Sequence, residues 1–443
     1  MDAIAKMPTY EAYKDSGVEW LGEVPSEWDL VANKHIFRLK KYLVGKRSSQ
    51  YELLSLTLKG IIKRDMDNPE GKFPAEFDTY QEVCNGDFVF CLFDVEETPR
   101  TVGLSEFNGM ITGAYTVFEV SQGFNAKFLY YFYLNLDVKK RLRPLYRGLR
   151  NTIPKDSFLS FKTYVPSSDQ QTLIANFLDQ KTTQIDEAIA IKEQQIALLK
   201  ERKQIIIQKA VSQGLYPDVP MKDSGVEWIG EIPAHWEVVK LKFLLSSPLK
   251  YGANETGIDY DPNMPRYVRI TDFSGEGKLN DRNRLSLSWD VGKDFLLEDG
   301  DILLARSGAT VGKSYQFKTS MSEDNNYCFA GYLIRARCDA NRVLSDYLNL
   351  YLNSDCFFSW KNIIFNKSTI ENIGADKYST LMVITPPVES QREILKFVKH
   401  KLCPIDEGIS HAYRQIERLK EYKTTLINSA VTGKIRITPE MVA

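Results

Sequence analysis

The chain lacks most of what chemistry or a membrane would demand. No apolar run approaches the roughly 18 residues of a membrane span. The first residues, MDAIAKMPTY, contain no signal-peptide core, so a secreted protein is not expected. The six cysteines (Cys84, Cys91, Cys328, Cys338, Cys356 and Cys403) have no CxxC spacing. They read as reduced thiols of a cytoplasmic protein, with no metal site expected. The formal net charge is −1, so a nucleic-acid binder with this balance must concentrate its positive charge locally.

Catalytic signatures are also missing. Ser307-Gly-Ala-Thr-Val-Gly312-Lys313-Ser314 has three residues between its glycines where a phosphate loop needs four, and no helix pattern follows, so a strand turn is expected. No GxGxxG follows a strand pattern. Neither Thr385-Pro-Pro-Val388 nor Asp261-Pro-Asn-Met264 has the Asn/Asp-Pro-Pro-aromatic form that holds an extruded adenine. The four histidines, His35, His235, His400 and His411, are scattered, and none stands with a suitable nucleophile. A catalytic role finds no support here.

What the chain does contain is a unit written twice. Lys14–Leu30, KDSGVEWLGEVPSEWDL, recurs as Lys222–Val238, KDSGVEWIGEIPAHWEV, with 11 of the 17 paired positions identical. A second echo joins Tyr164–Gly214 to Thr385–Lys434, where Pro166 aligns with Pro387, Gln170 with Gln391, Ile185-Asp186 with Ile405-Asp406, and Leu199-Lys-Glu201 with Leu419-Lys-Glu421. Each half is a leader, a variable body and a long charged segment. The domains expected are a leader over 1–30, a first body over 31–163, a central helical spacer over 164–214, a second leader over 215–238, a second body over 239–384, and a helical spacer with tail over 385–443.

The spacers are helical by period. Positions 395, 398, 402, 405, 409, 412, 416, 419, 423, 426 and 430 alternate steps of three and four and are apolar except Lys423. The positions 220 earlier, Ala175 to Ala210, repeat the seam with polar breaks at Thr182, Lys192 and Lys203. Neither helix can bury such a seam alone, which predicts an antiparallel coiled coil between the two. The bodies carry short β-rich runs (from Asp87, Ala114, Asp301 and Tyr327) and a helix each, over Lys127–Leu142 and Leu344–Ile364. The fold class expected is therefore α+β: two β-rich bodies with helices, separated by two long antiparallel helices, in an internal pseudo-two-fold repeat.

Cationic stretches in the bodies point to nucleic acid. Body one holds 20 Lys and Arg against 15 Asp and Glu, whereas body two holds 18 of each. The excess gathers in Lys139-Lys-Arg-Leu-Arg143-Pro-Leu-Tyr-Arg147-Gly-Leu-Arg150-Asn151-Thr152, which suits a phosphate backbone. Arg147, Arg150 and Asn151 lie in a turn-like stretch, where arginine could pair with guanine and asparagine with adenine. A solvated helix end is the plainer reading of the same residues. Lys59, Lys63 and Arg64 form a second basic turn. In body two, Arg266 to Asp272 alternates like a strand with one wet face carrying Tyr267, Arg269 and Thr271. Arg306, Ser307 and Lys313, and then Asn366, Lys367 and Ser368, add basic and amide loops.

The layout resembles that of a specificity subunit of a type I restriction-modification system. The resemblance rests on SGVEWxGExPxxW at Ser16–Trp28 and Ser224–Trp236, on Gly300-Asp-Ile-Leu-Leu-Ala-Arg-Ser-Gly308, and on the two Pro…Gln…Ile-Asp…Leu-Lys-Glu helices. Body one departs from it, with Gly86-Asp-Phe-Val-Phe-Cys-Leu-Phe in place of the second string. The resemblance implies two target-recognition domains, each reading half of a split, asymmetric double-stranded DNA site, with the helices as a ruler. It implies two methyltransferase subunits, which supply S-adenosylmethionine, and two motor-nuclease subunits, which use ATP and Mg. This chain would itself be non-catalytic and bind no cofactor. A coiled-coil scaffold for protein partners, and an enzyme with a divergent site, remain the competing readings.

Overall fold

The computed structural model describes residues 2–65, 77–274, 279–308, 311–366 and 372–442. It divides into two compact units, Met1–Glu193 with Tyr413–Ala443, and Gln194–Ala412. Each is built to one plan.

The leader opens each unit as a small antiparallel hairpin, Tyr13–Asp15 with Glu23–Pro25 and Met221–Asp223 with Glu231–Pro233, in matching register (Lys14 opposite Val24, Lys222 opposite Ile232). Its tryptophan is the reason for the repeat. Trp28 is 1% exposed and Trp236 3%. Each underlies the glycine that follows a long helix. Gly433 and Gly214 adopt φ of +72° and +75°, the left-handed geometry that ends a helix. A Cβ on Gly433 would stand 2.3 Å from Pro25, and one on Gly214 3.0 Å from the Trp236 ring. A further strand then closes each body by pairing with its last strand: Asp29–Ala32 with Lys162–Val165, and Glu237–Lys240 with Met382–Thr385.

The body of unit 1 is centred on a sheet of β1 (Phe37–Lys40), β2 (Phe88–Phe90), β3 (Val102–Leu104) and β4 (Thr116–Val120), in the order β1-β4-β2-β3. That of unit 2 holds β5 (Lys250–Tyr251), β6 (Ile302–Ala305), β7 (Ser314–Gln316) and β8 (Leu333–Ala336), in the order β5-β8-β6-β7. All neighbours are antiparallel, and the two orders are the same. The turn into the second strand carries an aspartate with the same task in both. Asp87 accepts from the Cys84 N–H (2.7 Å) and Asp301 from the Glu298 N–H (2.8 Å), each three residues back. Each then holds a cation, Lys40 at 2.8 Å and Arg337 at 2.7 and 2.8 Å. The Gly-Asp shared by the two bodies is thus a structural device. Within the glycine-bearing stretch from Ser307 to Ser314, Ala309 and Thr310 lie outside the described residues; the strands on either side, β6 and β7, pair antiparallel, and the Gly312 N–H donates to the Ala305 carbonyl (3.0 Å).

Helix α1 (Ala126–Val138) in unit 1 starts where the Asn125 side chain accepts from the Lys127 and Phe128 N–H groups (3.0 and 3.1 Å). It ends earlier than Leu142, because Lys140 turns to φ +47°. The single helix expected over Leu344–Ile364 is two, α3 (Ser345–Tyr351) and α4 (Asp355–Asn366). Ser354 Oγ and Asn353 Nδ2 donate back to the carbonyls of Tyr351 and Asn349 (2.7 and 2.8 Å), and the chain breaks there.

The two long helices are α2 (Ser168–Ser212) and α5 (Val388–Val431). All eleven seam positions on each are buried or half-buried. In unit 1, Ile174, Leu178 and Ile185 share a core with Leu426, Ala430 and Val431. In unit 2, Ile207 and Val211 share one with Ile394 and Val398. Contacts between the helices run antiparallel in each: Asp186 meets Lys423 and Lys203 meets Asp406, while Gln170 near the start of α2 reaches Ile437 in the tail beyond α5.

One alignment shifts by a residue. Gln171, and not Gln170, is the counterpart of Gln391. Gln171 donates to the Pro166 carbonyl (2.9 Å) and accepts from the Asn125 N–H (2.8 Å). Gln391 donates to the Pro386 carbonyl (2.8 Å) and accepts from the Leu344 N–H (2.8 Å). Both are buried. Pro166 thus pairs with Pro386, and the offset of 220 set by the helical seam extends to the helix start.

Candidate nucleic-acid interface

In unit 1 the two basic stretches, far apart in sequence, meet one segment. Residues 93–100, between β2 and β3, form a strap. On one side Arg100 donates to the Leu58 carbonyl (3.2 Å) at the tip of the hairpin Leu54–Thr57 with Gly60–Lys63. On the other, Lys140 donates to the Thr98 carbonyl (2.7 Å), Arg143 grips Glu96, and Arg150 Nε lies 3.0 Å from Asp94 Oδ1. Arg150 and Arg143 hold the carboxyls of Asp94 and Glu96 below the ordinary range by hydrogen bonding. The two arginines are exposed and the carboxylates only half-buried, so the pairs steer side chains more than they stabilise the fold.

The stretch from Arg147 to Thr152 is a tight hairpin. Arg147 N–H donates to the Thr152 carbonyl (2.8 Å) and Thr152 N–H to the Arg147 carbonyl (3.1 Å). Gly148 and Asn151 take φ of +68° and +44°. Arg147 is exposed, and its guanidinium donates to the carbonyls of Pro144 (3.3 Å) and Tyr146 (2.8 Å). Carboxylates therefore occupy Arg143 and Arg150 of the expected contact residues, whereas Arg147 meets only backbone oxygens in its described hydrogen bonds. On the other hairpin Lys59 is exposed, Lys63 lies 3.9 Å from Glu52 and 5.6 Å from the Phe107 ring centre, and Arg64 is half-buried.

Unit 2 departs from expectation at its first stretch. Arg266–Val268 is an inner strand with all three residues buried, and no wet face exists there. The Tyr267 hydroxyl donates to the carbonyls of Ala253 and Glu255 (2.9 and 3.0 Å), and burial pushes its pKa up. Arg269 folds onto Asp272 (3.0 Å) and the Asn283 carbonyl (2.6 Å), and Thr271 is exposed in the turn after it. The alternation reflects a strand with neighbours on both sides. Arg306 stacks over the Tyr251 ring at 5.0 Å, Ser307 bridges to Asn372, and Lys313 is exposed. Asn366 ends α4, while Lys367 and Ser368 lie outside the described residues.

Several neighbours were missed by sequence reasoning. Asp94 and Glu96 escaped notice although the acidic run before Arg100 was visible. Tyr251 and Tyr332, 40% and 64% exposed, left no local signal, because only the folded sheet brings them beside Arg306. Among the described residues no group of three or more His, Cys, Asp or Glu is placed to hold a metal, and no helix is long and apolar enough to cross a membrane.

The chain, with its twice-built antiparallel sheet and long helix, has a solved counterpart. A chain from a study of complex assembly and conformational transition of the type I R-M system superposes with a TM-score of 0.68 at 13% identity, covering 92% of this chain and 98% of that one. The two share a fold.

Sequence comparison points the same way. The type I restriction enzyme StySPI specificity subunit of Salmonella potsdam is 23% identical over 64% of this chain, and the EcoKI specificity subunit of Escherichia coli K12 is 24% identical over 64%. The MjaVIII specificity subunit of Methanocaldococcus jannaschii is 23% identical over 64%. The matches span 60%, 60% and 64% of those relatives' lengths. No family model matches. The family that the paired leaders and helices resemble is the one these relatives carry by name.

Proposed function

We propose that this chain is the DNA-binding specificity subunit of a type I restriction-modification complex. The observation that carries the proposal is the repetition of one plan with different outer parts. Leader, four-stranded sheet and long helix recur with the same connections, whereas the cationic loops of the two bodies differ in residue and in neutralisation. A frame kept constant around divergent surfaces suits two readers of unlike half-sites.

In this reading each body is a target-recognition domain for one half of an asymmetric double-stranded site. The seams of α2 and α5 form a coiled coil, with the halves related by a pseudo-two-fold, and it sets half-site centres about one helical turn, roughly 34 Å, apart. The frame also docks two methyltransferase and two motor-nuclease subunits, which bring S-adenosylmethionine, ATP and Mg. The chain is non-catalytic and acts in the cytoplasm.

The test compares adenine methylation across the genome of the source cell with and without this gene. Loss of methylation at one bipartite motif is the expected result. An unchanged methylation pattern overturns the proposal.

A further inference from the structure

The hairpin at Arg147–Thr152 carries one side chain with no packing role. Leu149 is 104% exposed, the highest value among the large apolar residues described. Single exposed apolar residues are common on any surface and mean little alone. Leu149 differs in how it is held. A mobile loop would lay such a side chain down on the protein, but here the exit arm of the hairpin is fixed to the body, and Arg147 on the entry arm is paired to Thr152 on that arm. The carbonyls of Arg150 and Asn151 accept from the strap at Asp94 and Val95 (2.9 and 3.4 Å), and Ile153, 2% exposed, anchors the exit through the Leu92 carbonyl (2.8 Å). The left-handed turns at Gly148 and Asn151 aim the tip outward. Gly148 adds no bulk beside it.

The surroundings name the occupant. Arg147 flanks the tip with a guanidinium that no carboxylate neutralises among its described contacts, and just past the end of α1, nearby in sequence, Lys139 is exposed with Lys140 and Arg141 half-buried beside it. An apolar pocket on a protein needs no cationic border. A stack of bases does, because phosphates line it on both sides. Proteins that kink or open a duplex drive an apolar side chain between base pairs and hold the backbone with arginine and lysine.

We propose that Leu149 is a wedge that enters the base stack of the DNA bound by unit 1 and unstacks one step there. The proposal rests on the DNA-binding function proposed above. The wedge would add indirect readout, favouring steps that open readily.

The experiment uses the full chain recovered with the proteins that accompany it in its source cell. A duplex is first selected from a random pool, and 2-aminopurine is then placed in turn along it. With the natural chain, fluorescence should rise several-fold at one step of one half-site. Leu149→Ala should abolish that rise while weakening binding by about tenfold or less and leaving the salt dependence unchanged. Leu149→Met should keep the rise. An unchanged thermal unfolding profile in both variants shows that the fold is intact. The wedge is overturned if the natural chain raises no signal, if Leu149→Ala retains it, or if Leu149→Ala only sheds accompanying proteins. Failure to enrich any duplex would overturn the DNA-binding function itself.

Discussion

The ammonium of Lys423 lies 2.6 and 2.7 Å from the two carboxylate oxygens of Asp186, and in the other unit Lys203 lies 2.7 Å from Asp406. Both lysines are polar breaks in the seam, and both aspartates follow a buried isoleucine, Ile185 or Ile405. Each lysine break is therefore met across the helices by the aspartate beside a seam isoleucine, and this happens twice. The pairs are partly exposed, so their value lies in register more than in stability. A double-mutant cycle with Lys423→Met and Asp186→Asn, read by urea unfolding, should give a coupling of about 0.2–1 kcal/mol. A coupling of zero would remove these residues from register selection.

If α2 and α5 set the half-site spacing as proposed, altering them should change that spacing alone. Inserting one helical turn into both α2 and α5 should lengthen the tolerated spacer and leave the half-site bases as they were. Methylation sequencing reads both. New half-site bases with an unchanged spacer would refute the ruler.

Buried pairs behave differently from those of the seam. Lys40 and Asp87 are 5% and 4% exposed. Burial alone would lower the Lys40 pKa, but hydrogen bonds to Asp87 and Cys84 raise it above the ordinary lysine value. Asp87→Asn should cost about 3–5 kcal/mol in chemical unfolding, because it strands a buried ammonium. The sign of the pH dependence follows. A raised folded pKa gives stability that is complete below the unfolded value and is lost as pH rises through the folded one. Lys40→Met should therefore blunt alkaline destabilisation relative to the natural chain, read by chemical unfolding at several pH values above neutrality.

The two arginines of the Arg147–Thr152 hairpin should separate under the proposed DNA-binding role. Arg147→Ala is expected to relax base preference in one half-site by about 1–3 kcal/mol. A uniform loss with a shallower salt slope would assign Arg147 to phosphate instead. Arg150 is engaged with Asp94, so Arg150→Ala and Asp94→Ala should resemble each other, both acting through the order of the hairpin. Binding titrations at several salt concentrations distinguish these outcomes.

Gln391 is fully buried and serves the Leu344 N–H and the Pro386 carbonyl. Gln391→Ala should cost about 1–3 kcal/mol by leaving these groups unpaired. Hydrogen exchange should quicken at the Leu344 amide first. Gln171→Ala should do the same at Asn125, while Gln170→Ala should leave that amide protected.

Much of this frame was legible in sequence. The leader repeat, the three-four seam and the short apolar runs between glycines and aspartates each encode contacts that a periodic backbone makes with itself, or with one fixed partner. What the seam could not settle was a register set outside it: Gln171 was separated from Gln170 only when a buried amide had to meet particular backbone groups.

The chemistry of the surface was decided elsewhere. The sequence by itself determined that positive charge gathers at Lys139–Arg150 and that α2 and α5 carry matching seams. Only the tertiary structure decided which charges are neutralised. Arg143 and Arg150 meet carboxylates 47 and 56 residues away, and Arg266 is buried against Asp281 and Asp324. The physical reason is one of range. Periodicity is written in neighbours three or four apart, whereas the field at a guanidinium depends on whatever the fold places within a few ångströms of it.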